Sequence, residues 1–213
     1  MTVTAPGPVE SAESVDRAGV RVRMASAVWV LIAGVVGLAA AATLMVEKLR
    51  ILENPDYVPS CSINPVLSCG SVMVTPQAEA FGFPNPLIGI VSFTVVVVTG
   101  ALAIGNVALP RWYWAGLATG TLLGTAFVHW LIFQSLYRID ALCPYCMVVW
   151  VVTIPIVWYT TLRNLRTARL GPRLGRLTAL ASEYRGVVLA AWYLVIAGLI
   201  TERFWDYWST LLP

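Results

Sequence analysis

Charge is what this 213-residue chain has least of. Asp, Glu, Lys and Arg together make up 12% of it, about half the share usual in a soluble domain. That scarcity argues against a water-soluble globular fold. Histidine is almost absent: the one example, His129, is a poor start for a mixed Cys/His metal site. Lysine is nearly absent too, since 13 of the 14 basic residues are Arg. The chain is instead rich in apolar residues, 58% by count, which places it in the membrane class before any motif is considered. The net charge of +3 says little; where the charges lie says more.

Residues 1–24 are polar, hold Pro6, Gly7 and Pro8, and show no apolar period, so they read as a flexible tail. Five apolar runs follow, at 25–46, 86–108, 112–133, 143–162 and 187–201. A bilayer core of about 30 Å needs about 20 helical residues, and the first four runs meet that length. The first exceeds the usual length of a signal-peptide core and is expected to remain as a span. The fifth is short, but "FWDYW" at 204–208 follows it as an interfacial aromatic belt would. Residues 47–85 form a long mixed loop. The expected fold is therefore an all-α integral membrane domain over 25–213, with five transmembrane helices.

Basic residues in short loops orient such a chain. Arg17, Arg21 and Arg23 precede the first run, Arg111 lies between the second and third, and six arginines fall between Arg163 and Arg185. These segments alternate correctly and are expected to be cytoplasmic. The six-arginine segment reads as a topology signal before it reads as a nucleic-acid or head-group site, and no nucleic-acid partner is expected. The C-terminus and all four cysteines then fall on the opposite, extracytoplasmic side, which in a bacterium is the oxidising one.

The cysteines come as two pairs, Cys61 with Cys69 and Cys143 with Cys146. The second pair is a CPYC tetrad at the mouth of the fourth run. Residues i and i+3 share a helix face, which puts Cys146 about 4.5 Å deeper than Cys143. Pro144 suits a first turn. The helix end favours a thiolate there. Redox chemistry is the leading reading; a zinc centre would need all four thiolates, and inert packing is the bland reading. The loop pair, eight residues apart, suits a small disulfide. That disulfide is either a structural staple or the outer half of a thiol–disulfide relay.

Other residues carry weaker signals. "TPQAEAF" from Thr75 suggests a short helix on the loop, with Thr75 as N-cap and Pro76 in its first turn; Val72 and Met73 lie beside it over the helix mouths. Asn85 in "FPNPLIG" is either the N-cap of the second span or an amide donor facing a ligand. Trp150, four residues after Cys146, is core packing, a lipid contact, or the wall of a flat ligand pocket. His129, within the third span, is an intramembrane ionisable group; a neutral histidine bonded to a neighbouring helix is the simpler reading. Gly116, Gly120 and Gly124 are expected to form a small face for helix packing.

This combination of a loop cysteine pair, an Asn opening an apolar span, and a CxxC opening the fourth span resembles the vitamin K epoxide reductase family, over roughly residues 25–162. Its bacterial members are quinone-linked disulfide-forming enzymes. The resemblance implies a four-helix bundle around a quinone, with the fifth helix peripheral. It implies that Cys146 adjoins the quinone ring, that Cys143 exchanges with the loop through Cys69, and that Cys61 meets the external dithiol. It implies that Asn85 hydrogen-bonds a quinone carbonyl and that Thr75 stands where the family has a Ser or Thr. Trp150 stands where the vertebrate enzymes have a Tyr, which argues for quinone reduction over epoxide reduction.

The expected protein is thus a quinone-dependent thiol–disulfide oxidoreductase of a bacterial plasma membrane. It reoxidises a DsbA-like thioredoxin-fold protein, expected to be a separate polypeptide because little sequence follows the fifth run. Menaquinone is preferred over ubiquinone as acceptor. Catalytic roles fall to Cys61, Cys69, Cys143 and Cys146, and quinone contacts to Asn85, Trp150, Thr75 and Met73. No metal is expected. The alternatives are a quinone epoxide reductase of vertebrate type and a thiolate metal-binding or transport protein without enzymatic activity.

Overall fold

The structure is a computed structural model that describes residues 22–167 and 171–210. The tail expected over 1–24 lies almost wholly outside these residues, as does Arg169. Among the described residues, the only strand-like pairing is one isolated bridge. Five helices are long and apolar enough to cross a membrane. We number them as spans: one is Met24–Glu53, two is Pro86–Ile104, three is Arg111–Gln134, four is Pro144–Thr167 and five is Arg185–Arg203.

Span one runs seven residues beyond its apolar stretch, to Glu53, because Glu47, Lys48, Leu49 and Arg50 are good helix formers and "NP" at 54–55 provides the stop. Span two starts with proline in its first turn and ends at Gly105. Span three continues as a π turn, Ser135–Ile139, which ends at Asp140 in the left-handed region with φ 57°. The arginine-rich segment, expected as a loop, carries a further helix, Pro172–Glu183. Its leucines and arginines favour helix, and Pro172 opens it.

Spans one and two pack most closely. A Cβ at Gly37 would overlap the Phe93 ring, and one at Gly100 would lie 2.7 Å from the Leu31 backbone, so small residues allow the two helices to touch. Span four lies against spans one and three. The glycines of span three contribute nothing to such packing. A Cβ at Gly116, Gly120 or Gly124 would meet no atom within 4 Å, because these residues border a cavity between spans two and three. Their expected role as a helix-packing face is therefore corrected.

Span five is peripheral and contributes no buried residue. Ile196, Leu199 and Ile200 pack against the core, and polar contacts tie the helix further: Trp192 Nε1 donates to His129 Nε2 at 2.9 Å, Tyr193 donates to the Val151 carbonyl at 2.7 Å, and Arg203 bonds the Leu136 carbonyl and Asp140. The bond from Trp192 requires an unprotonated Nε2, leaving the His129 proton on Nδ1, 2.8 Å from the Thr125 carbonyl. His129 is thus a helix-to-helix tie, its simpler reading. The aromatic belt is partly core: Phe204 is buried, and Tyr207 and Trp208 pack beside it, while Trp205 is exposed.

Candidate functional site

The loop between spans one and two folds over one end of the bundle, and local hydrogen bonds shape it. Asn64 Oδ1 accepts the N–H groups of Val66 at 3.0 Å and Leu67 at 2.7 Å, an Asx turn that folds the segment back. Ser68 then caps a short helix, Cys69–Met73, by accepting the Ser71 N–H at 3.3 Å. This helix went unread in the sequence, although Ser68 two residues before a small-residue turn is a capping signal. The segment leading into span four adds itself as a parallel bridge between Leu67 and Leu142. Leu142 N–H donates to Val66 O at 2.7 Å, and Ser68 N–H to Leu142 O at 2.9 Å.

That bridge sets the sulfur chemistry. Cys61 and Cys69 form a disulfide with Cα atoms 5.5 Å apart. Cys69 and Cys143 each follow a bridge residue closely, and their Sγ atoms lie 3.2 Å apart. Leu44, Met73 and the cysteines Cys61, Cys69 and Cys143 make one buried cluster. Cys143 immediately precedes span four, and its Sγ accepts the Cys146 N–H at 3.4 Å. A hydrogen bond from the Cys146 side chain holds the Cys143 thiol below the usual cysteine range; burial opposes this, and the N–H groups of Cys146 and Tyr145 assist. These contacts favour the thiolate form of Cys143. Cys61 is only 5% exposed, so the loop as folded shields its sulfur from a protein thiol. The loop disulfide already takes two of the four thiolates that a zinc centre would need.

Cys146 lies one turn into span four and borders a cavity of about 520 Å³. The cavity runs between spans two and three from Cys146 and Asn85 at the cysteine end to Trp112 at the other end of span three. Trp150 is buried, belongs to the core cluster, and lines the cavity. Met73 is buried and also lines it.

Asn85 lines the cavity and stands at the N-cap position of span two, but its side chain does not bond a helix N–H. Its Nδ2 donates to Gln77 O at 2.7 Å and its Oδ1 accepts the Ala80 N–H at 3.1 Å. The N-cap position is the expected one, but the amide organises the loop in place of capping the helix. Thr75 likewise holds the expected N-cap position without a side-chain cap bond. The helix it precedes is a 3-10 turn, Pro76–Glu79, and its hydroxyl donates to Val72 O at 2.8 Å. It is not among the residues bordering the cavity.

Lys48 also borders the cavity and went unread in the sequence. Its signal was available: Ala41, Leu44 and Lys48 follow at helical spacing along the buried stripe of span one, and all three line the cavity.

The sequence matches the Vitamin K epoxide reductase family over residues 28–161. The chain belongs to this family. Among curated proteins, none matches it. Membership implies oxidoreductase activity in a multi-pass membrane protein, with quinone-type substrates. The cavity suits such a molecule: its wall is largely apolar with a few polar groups, Lys48, Gln77, Asn85 and Cys146 among them, the lining expected of a site for a mostly apolar ligand.

Proposed function

We propose that the protein is a membrane thiol oxidoreductase that takes two electrons from a DsbA-like thioredoxin-fold protein. It passes them through Cys61/Cys69 and then Cys143/Cys146 to a membrane quinone, menaquinone in preference to ubiquinone. The observation that carries this reading is the 3.2 Å separation of Cys69 and Cys143, with Cys146 in the wall of the adjoining cavity. The arginine distribution supports a cytoplasmic N-terminus, with the cysteine end extracytoplasmic in a bacterial plasma membrane. Residues 25–213 then act as one membrane domain whose redox loop is 47–85.

Each step exchanges one disulfide for another. An external thiolate attacks Cys61 and frees Cys69. Cys69 attacks Cys143 when Cys143 is paired with Cys146, and Cys146 leaves as the thiolate facing the cavity. A second external thiolate attacks the partner's sulfur in the mixed disulfide at Cys61, releasing the oxidised partner and the Cys61 thiolate. Cys61 then attacks Cys69, which re-forms Cys61–Cys69 and frees Cys143. The reduced Cys143/Cys146 pair gives up two electrons and two protons through Cys146 and returns to its disulfide. A bound quinone supplies the sink for two electrons and two protons. Asn85 has one amide hydrogen engaged with Gln77 and offers the second to a ring carbonyl. Trp150 forms a flat wall and Met73 covers the end. Thr75 contributes by bracing the loop turn.

The test is an anaerobic assay of quinone reduction by a reduced thioredoxin-fold protein, run on each Cys→Ala variant. Loss in Cys143→Ala and Cys146→Ala is expected. Full retention in either would overturn the relay.

A further inference from the structure

The cavity wall holds one charged side chain, Lys48. It is 6% exposed, and burying an ammonium group is costly unless something repays it. Two of its three N–H donors have partners on the loop: Met73 O at 2.8 Å and Glu79 Oε1 at 2.9 Å. Glu79 is 40% exposed and does not border the cavity. Lys48 is thus a lining residue whose ionic partner, Glu79, lies outside the lining, and no carboxylate is part of the wall itself. The third N–H has no partner among the described residues.

We propose that Lys48 is the cation that favours the reduced, negatively charged state of the cavity's ligand and so assists electron transfer from Cys146. The proposal rests on the reading that this cavity takes the quinone. Oxidation of the Cys143/Cys146 dithiol to its disulfide releases two electrons and two protons, and the quinone takes up both pairs to become quinol. Until both protons have arrived, the ring carries excess negative charge in a nearly apolar cavity. A fixed cation acts most strongly in such surroundings. Lys48, Asn85 and Cys146 all border the cavity's cysteine end, so donor thiol, orienting amide and cation come from span four, the start of span two and span one respectively.

A latch role is the competing explanation, because Lys48 also ties span one to the loop. Glu79→Gln separates the two: it cuts the ion pair and leaves the lysine charge in the wall. The experiment uses the full chain in nanodiscs and reads quenching of tryptophan fluorescence. The probes are 2-hydroxy-1,4-naphthoquinone, an anion at neutral pH, and neutral 2-methyl-1,4-naphthoquinone. Wild type, Lys48→Arg and Glu79→Gln are expected to favour the anion over the neutral ring by roughly tenfold relative to Lys48→Gln, the scale of a charge-assisted hydrogen bond. In steady-state assays Lys48→Gln should lower kcat more than it raises KM, and Lys48→Arg should restore it. An unchanged anion preference in Lys48→Gln overturns the proposal. So does an equal loss in Glu79→Gln, which would make Lys48 a latch only. If wild type binds neither probe, the cavity reading fails along with the proposal.

Discussion

Cys69 and Cys143 stand 74 positions apart in the chain, yet their sulfurs lie 3.2 Å apart. Cys61 is already bonded to Cys69, so the sulfur that meets span four is Cys69. In Cys146→Ala the Cys143 thiol keeps its position and loses the partner that would resolve a mixed disulfide. Non-reducing peptide mapping of that variant should find a Cys69–Cys143 bond. A Cys61–Cys143 bond instead would invert the order of the loop cysteines.

The approach of these sulfurs depends on the backbone bridge at Leu142. Ser68→Pro removes the N–H that donates to Leu142 O, and proline does not adopt the Ser68 φ of −141°. The cost of one buried hydrogen bond is about 1–3 kcal/mol, or about five- to 150-fold in the population of the aligned state. The yield of the Cys69–Cys143 species in a Ser68→Pro, Cys146→Ala double variant should fall by that range. Yields equal to those of Cys146→Ala would show that the bridge does not hold the sulfurs together.

Burial of Cys61 has a kinetic consequence. A protein thiol meets a shielded sulfur there, whereas a small dithiol that reaches the Cys143/Cys146 pair does not need Cys61. Cys61→Ala should therefore abolish quinone reduction driven by a thioredoxin-fold protein and keep reduction driven by dithiothreitol. Cys146→Ala should abolish both. Protein-driven turnover surviving in Cys61→Ala would remove Cys61 from the relay.

Much of this arrangement was legible in the sequence because it rests on local composition. The five spans follow from apolar runs, and the cysteine end of the bundle from the order of Cys61, Cys69, Cys143 and Cys146. Thr75 and Asn85 hold the expected N-cap positions, but their side-chain bonds were not legible: short polar side chains choose between helix N–H groups and nearby loop groups, and here both chose the loop. The Leu67–Leu142 bridge has only two hydrogen bonds and leaves no period to detect. Lys48 looks like the boundary of an apolar run until the cavity shows which side of span one it occupies. The arginines between spans four and five masked the helical pattern of Pro172–Glu183.

The glycines separate packing from pocket most sharply. Gly116, Gly120 and Gly124 recur every fourth residue, a pattern that serves equally for touching another helix or for leaving room. Which one applies depends on the position of span two, which a single helix does not encode. Gly37 is the contrasting case, since any Cβ there overlaps Phe93. Gly37→Ala should destabilise the bundle by about 1–3 kcal/mol, the usual cost of overpacking, and lower the thermal midpoint in detergent. Gly120→Ala should leave that midpoint unchanged or slightly raised, because alanine is the better helix former and has open space around it. Gly120→Leu should fill the cavity instead, raising the KM for quinone while the Cys69–Cys143 exchange seen in a Cys146→Ala background continues. If Gly120→Leu left quinone KM unchanged, the space beside span three would not be where the acceptor lies.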